Sequence, residues 1–303
     1  MKAKELFPSF PLETWEETKE TLHRYIQIIG KIRLALMPRK NHWWYITLYV
    51  NSRGLYTDTI PYDDFSFEIQ FDFTQHQLQV YTSKGEHRFF KLHHGLSVAD
   101  FYHKTMDTLN NLGVQADIWA VPYDLSDDVP FPECTMHKSY QADHVQRFWR
   151  LLLLVDLVFK EFSGRSYSKT CPVHLYWHHM DLAVTRFSGE KGPDMPEAGL
   201  ADRDAYSHEV ISFGFWFGDK DVRDPAFYAY VYPSPNGLGH EILAPEAAKW
   251  IDSNGSPMAF LDYNALRKET DPKAALLDFL ESAYQAGAKL SEWDVTALEV
   301  KPL

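Results

Sequence analysis

Hydrophobic and polar residues alternate most regularly at positions 65–73, where phenylalanine or isoleucine occupies every second position. Successive side chains of a β-strand point to opposite faces, so this segment is predicted to be a strand with one buried and one solvated face. From Leu12 or Thr14 to Leu36 the hydrophobic residues recur every three or four positions instead. That spacing predicts an amphipathic helix, which Pro38 ends.

The same two periodicities predict the other elements of the chain. Predicted strands cover residues 43–50, 55–60, 77–82, 87–92, 118–121, 207–216 and 227–232. Predicted helices cover residues 97–112, 143–162 and 271–287, and Ser97 and Asp271 are suitable N-terminal caps for the first and the last of them. Turn-forming clusters at 51–54 and 83–85 indicate two hairpins.

The order of these elements in the first half of the chain recurs in the second half. The alignment places Leu48-Tyr49 on Leu175-Tyr176, Leu55 on Leu182, Ser66 on Ser207, Glu68 on Glu209 and Val80-Tyr81 on Val231-Tyr232. We therefore predict an α+β fold of two similar α-β-β-β-β-α modules, which form two antiparallel sheets or one pseudo-twofold sheet with the helices on one face. The modules are residues 1–121 and 141–303, and the acidic, proline-rich residues 122–140 connect them.

Composition narrows the possible partners and the cellular location. The formal charge is −12, which disfavours nucleic acid and anionic membrane surfaces as partners. Two cysteines cannot form a disulfide framework, and the N-terminus has no apolar run typical of a signal peptide. The longest aliphatic run, residues 151–159, is interrupted by Asp156 and is too short to span a membrane. We expect a soluble cytoplasmic protein, and the sequence leaves its oligomeric state open.

Ionisable residues are concentrated in two predicted strand regions of the second half, residues 171–189 and 206–218. They are His174, His178, His179, Asp181, Arg186, His208 and Glu209. A buried polar group without a partner costs about 1–3 kcal/mol, so these residues need hydrogen-bond or charge partners if they are buried. This region is the best candidate site.

One hypothesis for this site is general acid–base chemistry. His174 and Arg186 have the same strand parity, so they are expected to face one cavity, and either His208 or Glu209 could join them. Tyr228 and Tyr230 of the next strand would supply hydroxyl groups. Such a cleft suits a small anionic ligand held by Arg186. These six residues comprise the catalytic candidates His174, His208 and Glu209 and the ligand-binding candidates Arg186, Tyr228 and Tyr230.

The alternative hypothesis is structural, with Arg186 paired to Asp181 or Glu209 and His174 donating to a backbone carbonyl. Other chemistries have less support. No close-spaced HExxH or CxxC motif indicates a metal, and no glycine-rich phosphate loop indicates a nucleotide, so neither a metal nor a cofactor is expected. Cys171 precedes Pro172 and is expected to be a buried apolar group rather than a nucleophile.

Four strings carry a resemblance to a known family. NHWWYITLYVNSRGL, PVHLYWHHMDLAVTRFSG, AYSHEV and AFYAYVYP occur in this order over nearly the whole chain. The chain resembles a bacterial family of uncharacterised proteins, a domain-of-unknown-function family. The resemblance implies membership but no activity, cofactor or catalytic residue.

The sequence therefore leaves three functional hypotheses. The first is a protein that binds a small ligand, neutral or anionic, or a protein segment in a polar groove of its second half. The second is an enzyme that uses histidine and glutamate for acid–base catalysis and Arg186 as an anion anchor. The third is a structural protein that associates through an exposed aromatic strand.

Overall fold

The computed structural model describes residues 7–301 and confirms the α+β class. The helices are α1 (Glu16–Leu36), α2 (Val98–Asn110), α3 (Ala142–Ser163), α4 (Leu200–Ala205), α5 (Tyr263–Leu266), α6 (Pro272–Leu290) and α7 (Val295–Leu298). The strands of the first half are β1 (Tyr49–Val50), β2 (Gly54–Tyr56), β3 (Ile60–Tyr62), β4 (Phe65–Asp72), β5 (Gln77–Thr82) and β6 (His87–Lys91). Those of the second half are β7 (His174–Tyr176), β8 (Asp181–Lys191), β9 (His208–Trp216), β10 (Ala226–Tyr232), β11 (Lys249–Ser253) and β12 (Ser256–Asp262).

Each half forms one antiparallel sheet, with six strands where the sequence predicted four. The first sheet has the order β1-β2-β4-β5-β6, and β3 also pairs with β4. The second has the order β11-β12-β10-β9-β8-β7. Residues 1–6 and 302–303, which the sequence assigned to the outer ends of the two modules, lie outside the described residues.

The two sheets meet at one pair of residues, Leu48 and Leu175. Each donates its backbone N–H to the carbonyl of the other, at 2.9 and 2.7 Å. An antiparallel pair of this kind has a local twofold axis between its strands. Leu48 and Leu175 are also the positions that the internal alignment superimposes, so a twofold axis at this pair would relate the two halves that the sequence predicts to be similar.

The two long helices near the junction follow the same symmetry. Helix α1 packs on the turn after β7, where Gly30 is so close to Trp177 that a β-carbon on Gly30 would lie 2.2 Å from the indole ring. Helix α3 packs on the turn after β1, where Trp149 donates its indole N–H to the carbonyl of Asn51 at 3.0 Å. A helix from each half of the chain thus packs on a hairpin of the other half. An internal gene duplication stays a prediction.

Strand pairing corrects part of the internal alignment. Leu55 pairs with Phe71 in the first sheet, and its counterpart Leu182 pairs with Phe215 in the second. The offset between β4 and β9 is therefore 144 residues (215 − 71), whereas the alignment of Ser66 with Ser207 requires 141. That alignment is wrong by three residues and would turn one strand over. The structural register instead superimposes two runs of alternating hydrophobic residues, at 67–73 and 211–217.

The long helices cover one face of the joined sheets, here called the inner face. Phe101 of α2 stacks on Phe71 of β4 with ring centroids 6.0 Å apart, and Phe162 of α3 lies 4.7 Å from Phe213 of β9. The opposite face, the outer face, carries the polar positions of the strands. None of the helices within residues 7–301 is long and apolar enough to cross a membrane.

Three predicted strands differ from the structure. The predicted strand 55–60 is two separate strands, β2 and β3, with residues 57–59 between them. Residues 118–121 form no strand. Of the predicted strand 43–50, only Tyr49–Val50 is a strand, and Asn41–Trp43 form a short 3-10 turn. His42 and Trp43 both have left-handed backbone angles, with φ of 55° and 58°. Such angles are unfavourable for residues with a β-carbon, so tertiary contacts must hold this turn against the local preference for a strand.

Candidate functional site

The six candidate residues do not face a common cavity, because the second sheet separates them. Arg186 lies on the inner face, in line with Leu182 and Val184. His174 pairs with Ala183 and therefore lies on the outer face. The prediction that His174 and Arg186 share a face is wrong.

The length of one turn explains this result. Tyr176 pairs with Asp181, which leaves four residues, 177–180, in the turn between β7 and β8. A turn with an even number of residues pairs even-numbered positions with odd-numbered ones. In a continuous strand, or in a hairpin with an odd number of turn residues, two even-numbered residues such as His174 and Arg186 would lie on the same face. The four-residue turn reverses this relation, and His174 shares its face with Asp181 instead.

Arg186 is enclosed between helices and is 1% exposed. Its guanidinium carbon lies 3.6 Å from the ring centroid of Phe162 and 4.4 Å from that of Tyr284, and it donates to the carbonyl of Phe162. Burial lowers the pKa of Arg186 to about 10, so the side chain remains charged at neutral pH. These contacts join α3, α6 and β8. Glu209 shares the inner face and accepts from the indole N–H of Trp293 at 3.1 Å.

The outer face of the second sheet carries a row of hydroxyl groups. Thr185 pairs with Ser212, and Ser212 pairs with Tyr230, so the three side chains lie side by side on β8, β9 and β10. The hydroxyls of Thr185 and Ser212 are 2.9 Å apart. Three adjacent hydroxyls can both donate and accept hydrogen bonds, which makes this row suitable for a polar ligand.

Tyr228 lies beside this row and crosses β9 to reach β8. Its ring passes directly over Gly214, and its hydroxyl donates to Asp181 at 2.6 Å. Burial raises the pKa of Asp181, and the bond from Tyr228 partly opposes that effect. Burial and the nearby Asp181 also raise the pKa of Tyr228, so its hydroxyl stays protonated. This hydrogen bond fixes the orientation of the Tyr228 side chain on the outer face.

His174 lies against Tyr176, with ring centroids 4.6 Å apart, and is 1% exposed. Its Nδ1 is 2.7 Å from the carbonyl of Pro172, so Nδ1 carries the proton and donates. This contact matches the structural hypothesis for His174. Burial lowers the pKa of His174 to about 4, and the ring is neutral at pH 7. A general base is most effective when its pKa is near the working pH, so this environment does not favour His174 in that role.

Residues 42–44 of the first half of the chain lie over the hydroxyl row, and a partly open cavity lies between them. The cavity has a volume of about 50 Å³. It is lined by His42, Trp44, Tyr176, Thr185, Phe187, Ala205, Tyr206, Val210, Ser212 and Tyr230. We call this space the outer cavity. Its cover is held by the indole N–H of Trp43, which donates to the carbonyl of Ala201 at 3.0 Å.

His208 lies at the edge of the outer cavity, 5.7 Å from the ring of His42. Of the six candidates, the structure thus brings Tyr230 into the cavity and places His208 and Tyr228 next to it. His174, Arg186 and Glu209 do not line the cavity. Sequence reasoning missed His42 and Trp44. Trp44 was assigned to the predicted strand 43–50, and His42 directly precedes that strand. The only local signal for a binding role is that polar residues, Asn41 and His42, stand next to two tryptophans.

The family comparison covers nearly the whole chain. The model of a family of unknown function, DUF5996, matches residues 7–300. The chain belongs to this family. The DUF5996 match spans both modules and therefore includes every residue of the outer cavity. No curated protein and no solved structure matches this DUF5996 chain.

Two further sequence hypotheses for this DUF5996 member concern a metal site and the reactivity of Cys171. Within residues 7–301, no group of three histidine, cysteine, aspartate or glutamate side chains is arranged to hold a metal ion. Cys171 is 1% exposed beside the outer cavity, and burial raises its pKa to about 11. It is therefore a thiol at neutral pH rather than a reactive thiolate.

Proposed function

We propose that this protein binds a small polar ligand in the outer cavity. The observation that carries the proposal is the partly open space between the hydroxyl row of Thr185, Ser212 and Tyr230 and the cover of His42 and Trp44. Ligand sites are typically concave, with aromatic walls and a few converging polar groups, and this cavity has both.

The cavity volume limits the size of the ligand. A water molecule needs roughly 10–15 Å³ of cavity volume by this measure. A cavity of about 50 Å³ therefore holds about four non-hydrogen atoms. This size favours a small molecule over a protein segment.

The backbone of the cover supports the same proposal. Consecutive left-handed residues at His42 and Trp43 each cost about 1–2 kcal/mol. Backbone strain of this kind is concentrated at ligand sites and is maintained by the surrounding structure. Here it directs His42 and Trp44 towards the hydroxyl row.

Ligand-observed NMR with acetate, acetamide, glycerol and inorganic phosphate tests the proposal. We expect the native protein to bind at least one of these probes. Ser212→Leu adds three carbon atoms to the floor of the cavity and should abolish that binding, while Ser52→Leu, in an exposed turn, should not. Thermal unfolding of both variants verifies that they are folded. The proposal fails if no probe binds the native protein, or if folded Ser212→Leu binds as the native protein does.

A further inference from the structure

The charges around the outer cavity indicate what kind of ligand it would hold. None of the ten lining residues is acidic. The Lys169 ammonium lies 4.8 Å from the ring centroid of Phe187 and 5.3 Å from that of Trp44, and both rings line the cavity. Lys40 lies 5.9 Å from the same Trp44 ring. Two cations thus lie beside a cavity without an acid, in a chain whose formal charge is −12.

Lys169 has no ionic partner among residues 7–301, since none of their carboxylate oxygens lies within 4.0 Å of its ammonium nitrogen. Within residues 7–301, the one hydrogen-bond contact of its ammonium group is with Nε2 of His42, at 3.0 Å. An ammonium group has three N–H donors. Lys169 is exposed at the edge of the cavity, so its other two donors are open to solvent and accessible to a ligand.

His42 fixes the position of this ammonium. Its Nδ1 is 3.2 Å from the carbonyl of Ala205, which only accepts, and its Nε2 faces Lys169, which only donates. The ring must therefore carry its proton on Nδ1 and accept at Nε2. His42 is 3% exposed, so it holds Lys169 from a rigid, buried position.

We propose that the ligand of the outer cavity is a small oxyanion, a carboxylate or a phosphate, that Lys169 binds it directly, and that His42 is the positioning residue for Lys169. This inference rests on the proposed function. Lys169 supplies the charge and N–H donors. One hydroxyl of the Thr185–Ser212 pair donates to the other, so this pair leaves one O–H donor for the oxygen atoms, and Tyr230 supplies a second. Charge-assisted hydrogen bonds of this type are about twice as strong as neutral ones.

Acetate and acetamide separate the charge of the ligand from its shape, because they have nearly the same size and geometry. We expect the native protein to bind acetate at least about tenfold more tightly than acetamide. A hydrogen bond to a charged group contributes about 1.5 kcal/mol or more, and a tenfold ratio of affinities corresponds to about 1.4 kcal/mol. Lys169→Met should remove this preference, and Lys169→Arg should retain part of it. Lys104→Met, which removes an exposed lysine from α2, is the matched control and should leave the preference unchanged.

The ratio of the acetate affinity to the acetamide affinity also tests the role of His42. His42→Leu removes the acceptor for Lys169 and should lower the acetate preference several-fold. His42→Gln places an amide oxygen near the position of Nε2 and should restore it. A purely structural role would change stability without changing the ratio, so recovery in the glutamine variant identifies positioning.

Inorganic phosphate distinguishes the two oxyanion sources. Tighter binding of phosphate than acetate assigns a tetrahedral ligand, and the reverse assigns a planar carboxylate. The inference is overturned if acetamide binds as tightly as acetate, or if Lys169→Met keeps the preference, and in both cases the proposed ligand cavity stands. If no probe binds the native protein, the proposed function itself fails.

Discussion

Arg186 illustrates how the environment of one residue decides its role. The side chain was the strongest candidate for an anion anchor because it lies in a predicted strand among histidines. In the structure its two faces are covered by Phe162 and Tyr284, and its donor bonds the Phe162 carbonyl near the end of α3. Two aromatic rings thus cover the guanidinium group, and a main-chain carbonyl accepts from its Nη2 atom.

Replacing Arg186 with alanine should therefore reduce stability without affecting the outer cavity. We expect the free energy of unfolding to fall by about 3 kcal/mol, because the change removes two cation–π contacts and a buried hydrogen bond and leaves a cavity. Chemical denaturation measures this loss. The matched change Arg165→Ala, at a partly exposed ion pair with Glu161, should cost less than about 1 kcal/mol. A stable Arg186→Ala protein that no longer bound the small probes would contradict this assignment.

The identity of the ionisable residues was visible in the sequence, but their orientation was not. His174 and Arg186 differ in role because a four-residue turn places them on opposite faces of the sheet. Turn length depends on which residues pair, and strand composition does not determine it. Lys169 and His42 are 127 residues apart, so their contact arises only from the tertiary fold.

At the level of strands, the outer face depends on how β10 packs across β9. The ring of Tyr228 lies over Gly214, where a β-carbon would be 2.1 Å from the ring. Only glycine at this position allows the Tyr228 hydroxyl to reach Asp181.

Gly214→Ala should displace Tyr228 and destabilise the protein by about 1–3 kcal/mol, as for other overpacked cores. Tyr228→Leu in the same chain should relieve part of the clash, so the double variant should be more stable than the sum of the two single changes predicts. A double-mutant cycle in urea measures this coupling. Additive effects within about 0.5 kcal/mol would show that the ring and Gly214 do not interact.

The elements that the sequence predicted well are those with local signals. Ser97 and Asp100 form a reciprocal capping box at the start of α2, and the Asp271 side chain accepts from the N–H groups of Lys273 and Ala274 at the start of α6. Local composition misassigned the segment that contains Trp43 and Trp44. Aromatic residues favour strands, and here the segment is instead held over the second sheet by contacts with residues more than 150 positions away.

At the scale of the whole molecule, the two modules depend on each other. The sheets are joined through Leu48 and Leu175, and helix α1 of the first module closes the β7–β8 turn of the second. His23 of α1 makes that contact, because its Nε2 lies 3.0 Å from the carbonyl of Trp177 and 3.1 Å from that of His178. A carbonyl only accepts, so Nε2 carries the proton and the neutral ring donates to both.

This contact makes stability depend on pH. Burial, with a smaller effect from the nearby Lys19 charge, lowers the pKa of His23 to about 3, whereas an unfolded histidine titrates near 6.5. Because the folded pKa is the lower of the two, the unfolded chain takes up the proton first. The contribution of His23 is complete above about pH 6.5 and is lost progressively as the pH falls towards about 3.

His23→Gln removes the titration and keeps an N–H donor for the two carbonyls. Between pH 7.5 and pH 5, His23 should account for about 2 kcal/mol of the stability that the native protein loses, at about 1.4 kcal/mol per pH unit below 6.5. Burial also lowers the pKa values of His174 and His178, so the native protein should lose more than this in total. The quantity to measure is therefore the difference between the native protein and the variant, from urea unfolding at each pH. His103→Gln, at an exposed position of α2, is the matched substitution. Equal losses in the native protein and His23→Gln would show that protonation of His23 does not weaken the contact between the modules.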